Sequence, residues 1–161
     1  MILCDTGGHY MEGSTDITRT IVLGNVTEEE KKHFTTVLCS MLHLADARFL
    51  YGCTGMSLDY AAREPFWRQH LNFNHGTGHG VGYLGNIHEP PARFFWKMPM
   101  GTGTIPALEP GMVITDEPGI YIENSHGIRT ETELLVVKDT ENEYGQFLRF
   151  ETLTFVRSIW M

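Results

Sequence analysis

The chain has 161 residues, 42% of them hydrophobic, and its 20 acidic against 12 basic residues give a formal net charge of -8. This length is typical of one domain with a substantial core. The negative charge argues against a nucleic-acid partner, because such partners are bound by clustered Lys and Arg. No apolar run approaches the ~20 residues that cross a bilayer, so no membrane partner is expected. Three cysteines without a CxxC pair favour a reducing compartment, and the predicted location is cytoplasmic.

The first predicted elements are two strands, MILCD over residues 1–5 and TDITRTIVLG from Thr15 onward, with glycine-containing turns between them. Together they predict an antiparallel hairpin. Asp5 and Asp16 are then expected to face each other directly across the ladder, about 4.5–5.5 Å apart. Because two carboxylates at that distance repel each other, the pair indicates a bound cation.

The next predicted element is a helix over residues 28–50. Thr27 and Glu30 form a capping box at its start, and the apolar residues that follow recur at helical spacing. This apolar face is interpreted as core packing. His33 and His43 lie on the same helix without acidic partners nearby in sequence, so both are expected at the surface.

A second helix is predicted from a cap at Ser57 through about His70, and Pro65 would kink or shorten it. The glycine-rich run over residues 76–85 predicts a backbone that passes close to a metal or a substrate. The segment over residues 90–110, rich in Pro, Gly and aromatic residues, is predicted to be a long loop over the site. Strands are predicted in MVITDEPGIYIE, GIRTETELLVV and FLRFETLTFV.

The glycine-rich segment HGTGHGVG, at residues 75–82, carries the strongest functional signal. Four carboxylates lie at matching positions around it, and His79 supplies a nitrogen. The four acids are Asp5, Asp16, Glu117 of TDEPG and Glu131 of GIRTE. Four oxygen ligands and one imidazole suit two divalent cations such as manganese, cobalt, iron or zinc, whereas a structural zinc site prefers thiolates. The pattern predicts a two-metal hydrolase, or a piece of one.

These segments resemble the catalytic domain of the Xaa-Pro aminopeptidases (aminopeptidase P), within the creatinase or pita-bread metallopeptidase superfamily. The matching stretches are DTGGHYMEGSTDITRT, HGTGHGVGYLGNIHE, LEPGMVITDEPGIY, GIRTE and FETLTF. The HGTGHGVG form and the ending FETLTFV are most similar to the larger, cytosolic type. The resemblance implies an α+β fold, with a curved, mostly antiparallel sheet and helices on its outer face. Residues 1–161 are expected to be a partial pita-bread catalytic domain that lacks its upstream section and an N-terminal domain.

The resemblance also implies a metal-binding role for each of the five candidate ligands. Asp5 would bind one metal ion, and Asp16 and Glu131 would bridge both ions. His79 and Glu117 would complete the shell of the other ion. Manganese is the metal that the resemblance favours, with zinc and cobalt as alternatives.

Three further roles follow from the same resemblance. His75 and His88 would contact the substrate and the developing tetrahedral intermediate without binding metal. Glu117 would act as a proton acceptor as well as a ligand, and would carry a proton to the leaving nitrogen. The nucleophile would be a hydroxide held between the two cations, since they lower the pKa of water towards ~7.

Arg129 would lie beside the bridging Glu131. Strand alternation supports this placement independently, because Arg129, Glu131 and Glu133 share one face. Glu133 and the two threonines Thr130 and Thr132 depart from the usual family pattern. The extra acid at Glu133 either tunes metal affinity or faces solvent, and the sequence leaves both alternatives open.

The resulting hypothesis is a dimetal exopeptidase that hydrolyses the bond between an N-terminal residue and a following proline. Its partners would be peptides with proline at the second position, and a homodimer of the parent protein is left open. Alternatives within the same fold are a prolidase or a methionine aminopeptidase. A metal-free peptide-binding pseudoenzyme is the alternative of a different class.

Overall fold

The computed structural model describes residues 1–98 and 103–156. The helices in this part of the chain are α1 (Glu28–Ala45) and α2 (Gly55–Trp67). The strands are β1 (Ile2–Tyr10), β2 (Gly13–Ile21), β3 (Arg48–Leu50), β4 (Gly78–Val81), β5 (His88–Phe94), β6 (Val113–Asp116), β7 (Gly119–Ile122), β8 (His126–Arg129), β9 (Thr132–Asn142) and β10 (Gly145–Thr152). None of the described helices is long and apolar enough to span a membrane.

The strands form a central sheet of six, in the order β3-β10-β9-β6-β4-β5, and two separate hairpins, β1–β2 and β7–β8. Every pairing is antiparallel. The main core lies between the helices and the central sheet, and it contains the buried side chains of Leu44, Ala62, Phe94, Ile114, Leu134, Val136, Leu148 and Phe150. The predicted α+β class, with a mostly antiparallel sheet and helices packed against it, is confirmed.

A second buried cluster attaches the β7–β8 hairpin to the helices. Ile120 and Ile128, which pair across this hairpin, pack with Val37, Phe66 and Phe73. Since side chains alternate along a strand, the other face of the hairpin carries the residues next to each isoleucine. That face is turned towards the candidate site.

Helix α1 has the predicted capping box at its N-terminus, but it ends at Ala45 and not at residue 50. Residues Arg48–Leu50 form β3 and pair with β10. The reason is tertiary, because Phe49 packs against Phe150 in the core with ring centroids 5.0 Å apart. This packing outweighs the helical periodicity that the sequence continues to show.

The two histidines of α1 have different environments. His43 is exposed, as predicted. His33 is buried, and its Nδ1 atom lies 2.8 Å from Nε2 of His126 in β8, so the expectation of a surface position is wrong. The docking of the β7–β8 hairpin against α1 is the cause, and no local pattern in the sequence shows it.

Helix α2 begins after Thr54, which is its N-cap in place of the predicted Ser57. The hydroxyl of Thr54 accepts the N–H of Ser57 at 3.3 Å. Pro65 is accommodated in the last turn, and the helix ends at Trp67, earlier than the predicted His70.

The glycine-rich run over residues 76–85 contains β4, inside the central sheet. A Cβ atom added at Gly78 would collide with the carbonyl oxygen of Thr115, and one at Gly80 with that of Glu89. The predicted close approach of the backbone therefore exists at these positions. The neighbouring group at both positions is the main chain of an adjacent segment, and close approach to a metal or a substrate stays a prediction.

A strand also occupies part of the loop predicted over residues 90–110. β5 extends to Phe94 and forms an edge of the central sheet, where Pro90 and Pro91 interrupt no interior ladder. Ala107 makes an isolated bridge with Thr54. Residues 99–102 of the predicted loop lie outside the described residues.

Candidate metal centre

The β1–β2 hairpin carries two of the predicted ligands. In its register, Asp5 pairs with Thr18 and Asp16 pairs with Gly7. The predicted direct pairing of the two aspartates is therefore wrong, and they are diagonal neighbours on one face of the hairpin. The strands extend to Tyr10 and from Gly13, and this position of the turn fixes the register.

Strand β2 lies along the segment that joins β8 to β9, which carries Glu131. The N–H of Glu131 donates to the carbonyl of Thr18 at 3.1 Å, and the Thr18 hydroxyl donates to Oε2 of Glu131 at 2.6 Å. The guanidinium of Arg19 donates to the Glu131 carbonyl. Glu131 is thus buried and fixed through both its main chain and its side chain.

The ligand atoms of Asp16, His79 and Glu131 all lie within 4.8 Å of one another. Nε2 of His79 is 3.5 Å from Oδ2 of Asp16 and 3.3 Å from Oε1 of Glu117. The structure therefore brings four of the five predicted ligands together around the imidazole.

The sheet orients His79 for this position. Its Nδ1 atom lies 3.0 Å from the carbonyl oxygen of Gly80, and this contact turns Nε2 towards the acids. The main-chain N–H of His79 donates to the Thr115 hydroxyl at 3.0 Å, and this hydroxyl donates to Oε1 of Glu117 at 3.0 Å. Thr115 therefore sets the spacing between the histidine and the glutamate.

Asp5, the fifth predicted ligand, lies at the margin of the group. Its side chain is 49% exposed, and its Oδ2 atom accepts a hydrogen bond from Nη2 of Arg129 at 2.6 Å. Like Glu117, it is not part of the set of three ligand atoms within 4.8 Å of one another among the described residues, and unlike Glu117 it forms no ion pair with His79 there. Metal binding by Asp5 stays a prediction.

Arg129 reaches Glu131 indirectly, through one hydroxyl. Its Nε atom donates to Oγ1 of Thr18 at 3.2 Å, and that hydroxyl in turn donates to Glu131. Nε also lies 3.9 Å from Oε2 of Glu117. Together with its ion pair to Asp5, Arg129 connects three of the acids that the sequence singled out.

His75 lies beside Arg129 through a tyrosine that sequence reasoning missed. The hydroxyl of Tyr121 is 3.0 Å from Nε2 of His75 and accepts a hydrogen bond from Nη1 of Arg129 at 3.0 Å. Nδ1 of His75 is 2.7 Å from the carbonyl oxygen of Gly76. Burial lowers the pKa of His75, so the imidazole is neutral near pH 7.

His88 is exposed, and its ring packs edge-on against that of His79 with centroids 4.0 Å apart. It borders a cleft of about 420 Å³ between the hairpin and β5. This cleft is lined by Asp5, Thr6, Gly7, Gly8, His9, Thr15, Asp16, Ile87 and His88. Both predicted substrate histidines therefore lie next to the ligand group.

Four contributing residues were missed by the sequence analysis: Thr18, Arg19, Thr115 and Tyr121. Tyr121 had a usable signal, because alternation in GIYI places it on the face opposite Ile120, where Arg129 also lies. Thr18 and Arg19 had none. Their contacts with Glu131 arise only when the two hairpins dock.

The ligand group carries more negative charge than its surroundings compensate. The pKa of Glu131 is raised to about 8 and that of Glu117 to about 7, in both cases mainly by burial. The pKa of Asp16 is also raised, first by burial and then by repulsion from Asp5. Buried carboxylates whose charged forms are disfavoured fit a site that divalent cations complete, and the oxygen and imidazole donors suit hard to borderline metals.

A sheet that presents clustered carboxylates and one imidazole in this way defines a metallopeptidase-type centre. Residues 1–138 match the model of metallopeptidase family M24, and the chain belongs to that family. Aminopeptidase P1 of Arabidopsis thaliana is 41% identical over 157 residues, which is 95% of this chain.

Two solved structures show the same fold. X-prolyl aminopeptidase from Caenorhabditis elegans, a cytosolic enzyme with a di-nuclear active site, superposes with a TM-score of 0.85 at 39% identity over 96% of this chain. Prolidase from Pyrococcus furiosus gives a TM-score of 0.74 at 33% identity over 92% of the chain. The matched regions are 24% of the C. elegans chain and 40% of the prolidase chain. This chain spans about a quarter of the plant relative, at 24%.

Proposed function

We propose that the chain supplies the metal-binding part of a dimetal exopeptidase that hydrolyses the bond between an N-terminal residue and a following proline. The observation that carries this proposal is the close group of Asp16, His79, Glu117 and Glu131 in a member of family M24. The solved relative named X-prolyl aminopeptidase supplies the substrate class. Residues 1–161 would form part of a pita-bread catalytic domain in a longer, cytoplasmic protein, which would act on peptides as a monomer or a homodimer.

The metals would be held by the predicted ligands, with manganese favoured over zinc or cobalt. Asp16 and Glu131 would be shared, as the resemblance implies, and their ligand atoms lie within 4.8 Å of each other and of the His79 ligand atom. Asp5 would contribute Oδ1, since Arg129 holds its Oδ2 atom. When bound, two divalent cations supply Lewis acidity towards a peptide carbonyl and a water nucleophile at neutral pH.

The protein's own groups would position the substrate and move a proton. Glu117 would accept a proton from water and pass it to the leaving nitrogen. His88 borders the cleft beside His79 and would donate to the carbonyl oxygen as negative charge develops there. His75 would contact the peptide from the side of Tyr121.

A prolidase is the second candidate, because the fold superposes on a prolidase as well as on an aminopeptidase. The two activities differ in substrate length. An aminopeptidase accepts a chain that continues beyond proline, whereas a prolidase requires the free carboxylate of a dipeptide.

The test compares three peptides, Xaa-Pro-Xaa, Xaa-Pro and Xaa-Ala-Xaa, each with the manganese-loaded and the chelator-treated protein. Release of the first residue from Xaa-Pro-Xaa alone, and only with manganese, is the expected result. Cleavage of the dipeptide alone would assign a prolidase. If the protein binds two manganese ions and cleaves none of the three, the exopeptidase proposal is wrong.

A further inference from the structure

Strand β2 and the segment over residues 129–133 contact each other at every second residue. The hydroxyl of Thr20 bonds the main chain of Arg129, at 3.0 Å to its carbonyl and 3.1 Å to its N–H. The carbonyl of Thr18 accepts the N–H of Glu131 at 3.1 Å. The third contact in this series is made by Asp16, the residue that the proposed function assigns as a shared metal ligand.

Arg129 and Glu131 make their contacts with β2 through main-chain groups, but Glu133 makes the third contact through its side chain. The N–H of Asp16 donates to Oε1 of Glu133 at 2.7 Å. The main chain of Glu133 is turned towards β10 instead, where its carbonyl accepts the N–H of Leu153 at 2.8 Å and its N–H donates to the Thr154 hydroxyl at 3.0 Å. β9 has turned towards β10 at this point, and only the side chain of Glu133 extends back to β2.

We propose that Glu133 is a positioning residue whose side-chain oxygen holds the main chain of Asp16, and so keeps the Asp16 carboxylate against His79 and Glu131. This inference rests on the proposed function for its metal site. It concerns an acid that is not itself among the close ligand atoms.

The surroundings of Glu133 argue against a purely space-filling role. Only 3% of the residue is exposed, on the wall of a cleft of about 440 Å³. A glutamate is an unfavourable choice for filling a buried position beside another acid, since an apolar side chain avoids the loss of hydration. An apolar side chain, however, would leave the N–H of Asp16 without its acceptor, and outer contacts of this kind typically change metal affinity by 10–100-fold.

Three substitutions of Glu133 distinguish the effect of its side-chain oxygen acceptor from the effect of its negative charge. Glu133→Gln keeps an oxygen acceptor at the same reach and removes the charge. Glu133→Asp keeps the charge and shortens the reach by one methylene. Glu133→Leu removes both, and Glu141→Leu, at an exposed position of the same strand β9, is the matched control.

The measurement is manganese affinity by competition with a chromogenic chelator, made on the protein as it is naturally produced, with any sequence that flanks these residues. Glu133→Gln and Glu141→Leu are expected to bind manganese within about threefold of the unchanged protein. Glu133→Asp and Glu133→Leu are expected to bind about 10–100-fold more weakly. The melting temperature of each metal-free variant identifies any that fails to fold, and if Glu133→Leu does not fold the comparison of Gln with Asp decides.

Two outcomes overturn the inference. One is normal manganese affinity in Glu133→Asp, and the other is a loss in Glu133→Gln as large as in Glu133→Asp. Neither depends on peptide cleavage. A protein that shows the expected affinities but cleaves no Xaa-Pro peptide would refute the proposed function and leave the role of Glu133 in metal binding intact.

Discussion

Two clusters of buried or partly buried charged side chains lie in the part of the chain that the structure describes, and they are built in opposite ways. The first joins Asp59 and Arg63 of α2, at 0% and 1% exposure. Nε of Arg63 donates to Oδ2 of Asp59 at 2.6 Å, and the Thr77 hydroxyl donates to Oδ1 at 2.5 Å. The remaining guanidinium N–H groups reach the oxygens of Asn72, Phe73 and His75. Every charge in this cluster has a partner.

The second cluster is the candidate metal centre, and its charges are not balanced. The acids around His79 outnumber the neighbouring arginines, and the pKa values of Glu117 and Glu131 are raised mainly by burial. A closed cluster needs nothing further, whereas an open, partly buried cluster of carboxylates is stabilised by cations or protons.

The closed cluster supports the open one. Arg63 holds the carbonyl of His75 at 2.9 Å and stacks 3.9 Å from the ring centre of Phe73. The carbonyl of Thr77 accepts the N–H of Glu117 at 2.8 Å. The segment from His75 to Thr77, which bonds the main chain of Glu117, is therefore held in place by the Asp59–Arg63 ion pair, to which no catalytic role is assigned.

The largest effect is expected from Arg63→Met, which breaks the closed cluster. It leaves the buried Asp59 charge without its partner, and such a loss typically costs about 3–5 kcal/mol in the free energy of unfolding. Urea-induced unfolding measures it. Arg68→Met is the control, because the Arg68–Glu64 pair lies on the same helix with the arginine exposed, and its loss should cost under about 1 kcal/mol. Equal effects of the two substitutions would remove the distinction between a scaffold pair and a surface pair.

The open cluster predicts an unusual pH dependence for the metal-free protein. Folded-state pKa values of about 7 for Glu117 and about 8 for Glu131 lie above the ordinary 4.5, so the folded protein binds protons more tightly than the unfolded chain. The stabilisation is fully present below pH 4.5 and is lost as the pH rises through about 7 to 8. With a chelator, the free energy of unfolding should fall by several kcal/mol between about pH 5 and about pH 8.5. With saturating manganese the fall should be much smaller, and identical pH profiles with and without metal would contradict an open cluster.

Thr18→Val tests one hydroxyl inside the open cluster, which donates to Glu131 and accepts from Nε of Arg129 at 3.2 Å. It removes the hydroxyl that donates to Oε2 of Glu131 at 2.6 Å and keeps the shape of the side chain. We expect manganese affinity to fall by about 10-fold, at the lower end for such contacts, because Arg19 still holds the Glu131 main chain. Thr35→Val is the control, since the Thr35 hydroxyl bonds only a carbonyl on the exposed side of α1. A change in affinity as large as this in the control would assign the effect to folding.

Much of the open cluster could be predicted from the sequence. His79, Glu117 and Glu131 occur in short motifs with glycine or proline neighbours, so their residue types and order already limit the chemistry. The relation between Asp5 and Asp16 could not be predicted, because a shift of the hairpin turn changes the register of every pair. Burial of Glu133 was equally hidden, since it depends on how β2 meets β9.

The closed cluster gave no functional signal in the sequence. Asp59 and Arg63 are four residues apart on a helix, a spacing that is common on solvated surfaces. Only the packing of α2 under the segment from Phe73 to Thr77 buries them. The end of α1 was mispredicted for a related reason, because pairing of β3 with β10 decides it.

The smallest effect is expected from a substitution of Tyr121, whose hydroxyl contacts both His75 and Arg129. Tyr121→Phe removes the hydroxyl between His75 and Arg129 and leaves the aromatic ring in place. Arg129 keeps its bonds to Asp5 and Thr18, so the loss that matters is the hydrogen bond at His75. At about 1 kcal/mol for that bond, kcat on an Xaa-Pro peptide should fall about fivefold. Manganese stoichiometry should not change, because Tyr121 contacts none of the close ligand atoms. Tyr51→Phe, whose hydroxyl bonds Glu109 away from the site, should retain full activity. A loss of metal in Tyr121→Phe would show instead that this hydroxyl belongs to the open cluster through Arg129 and Asp5.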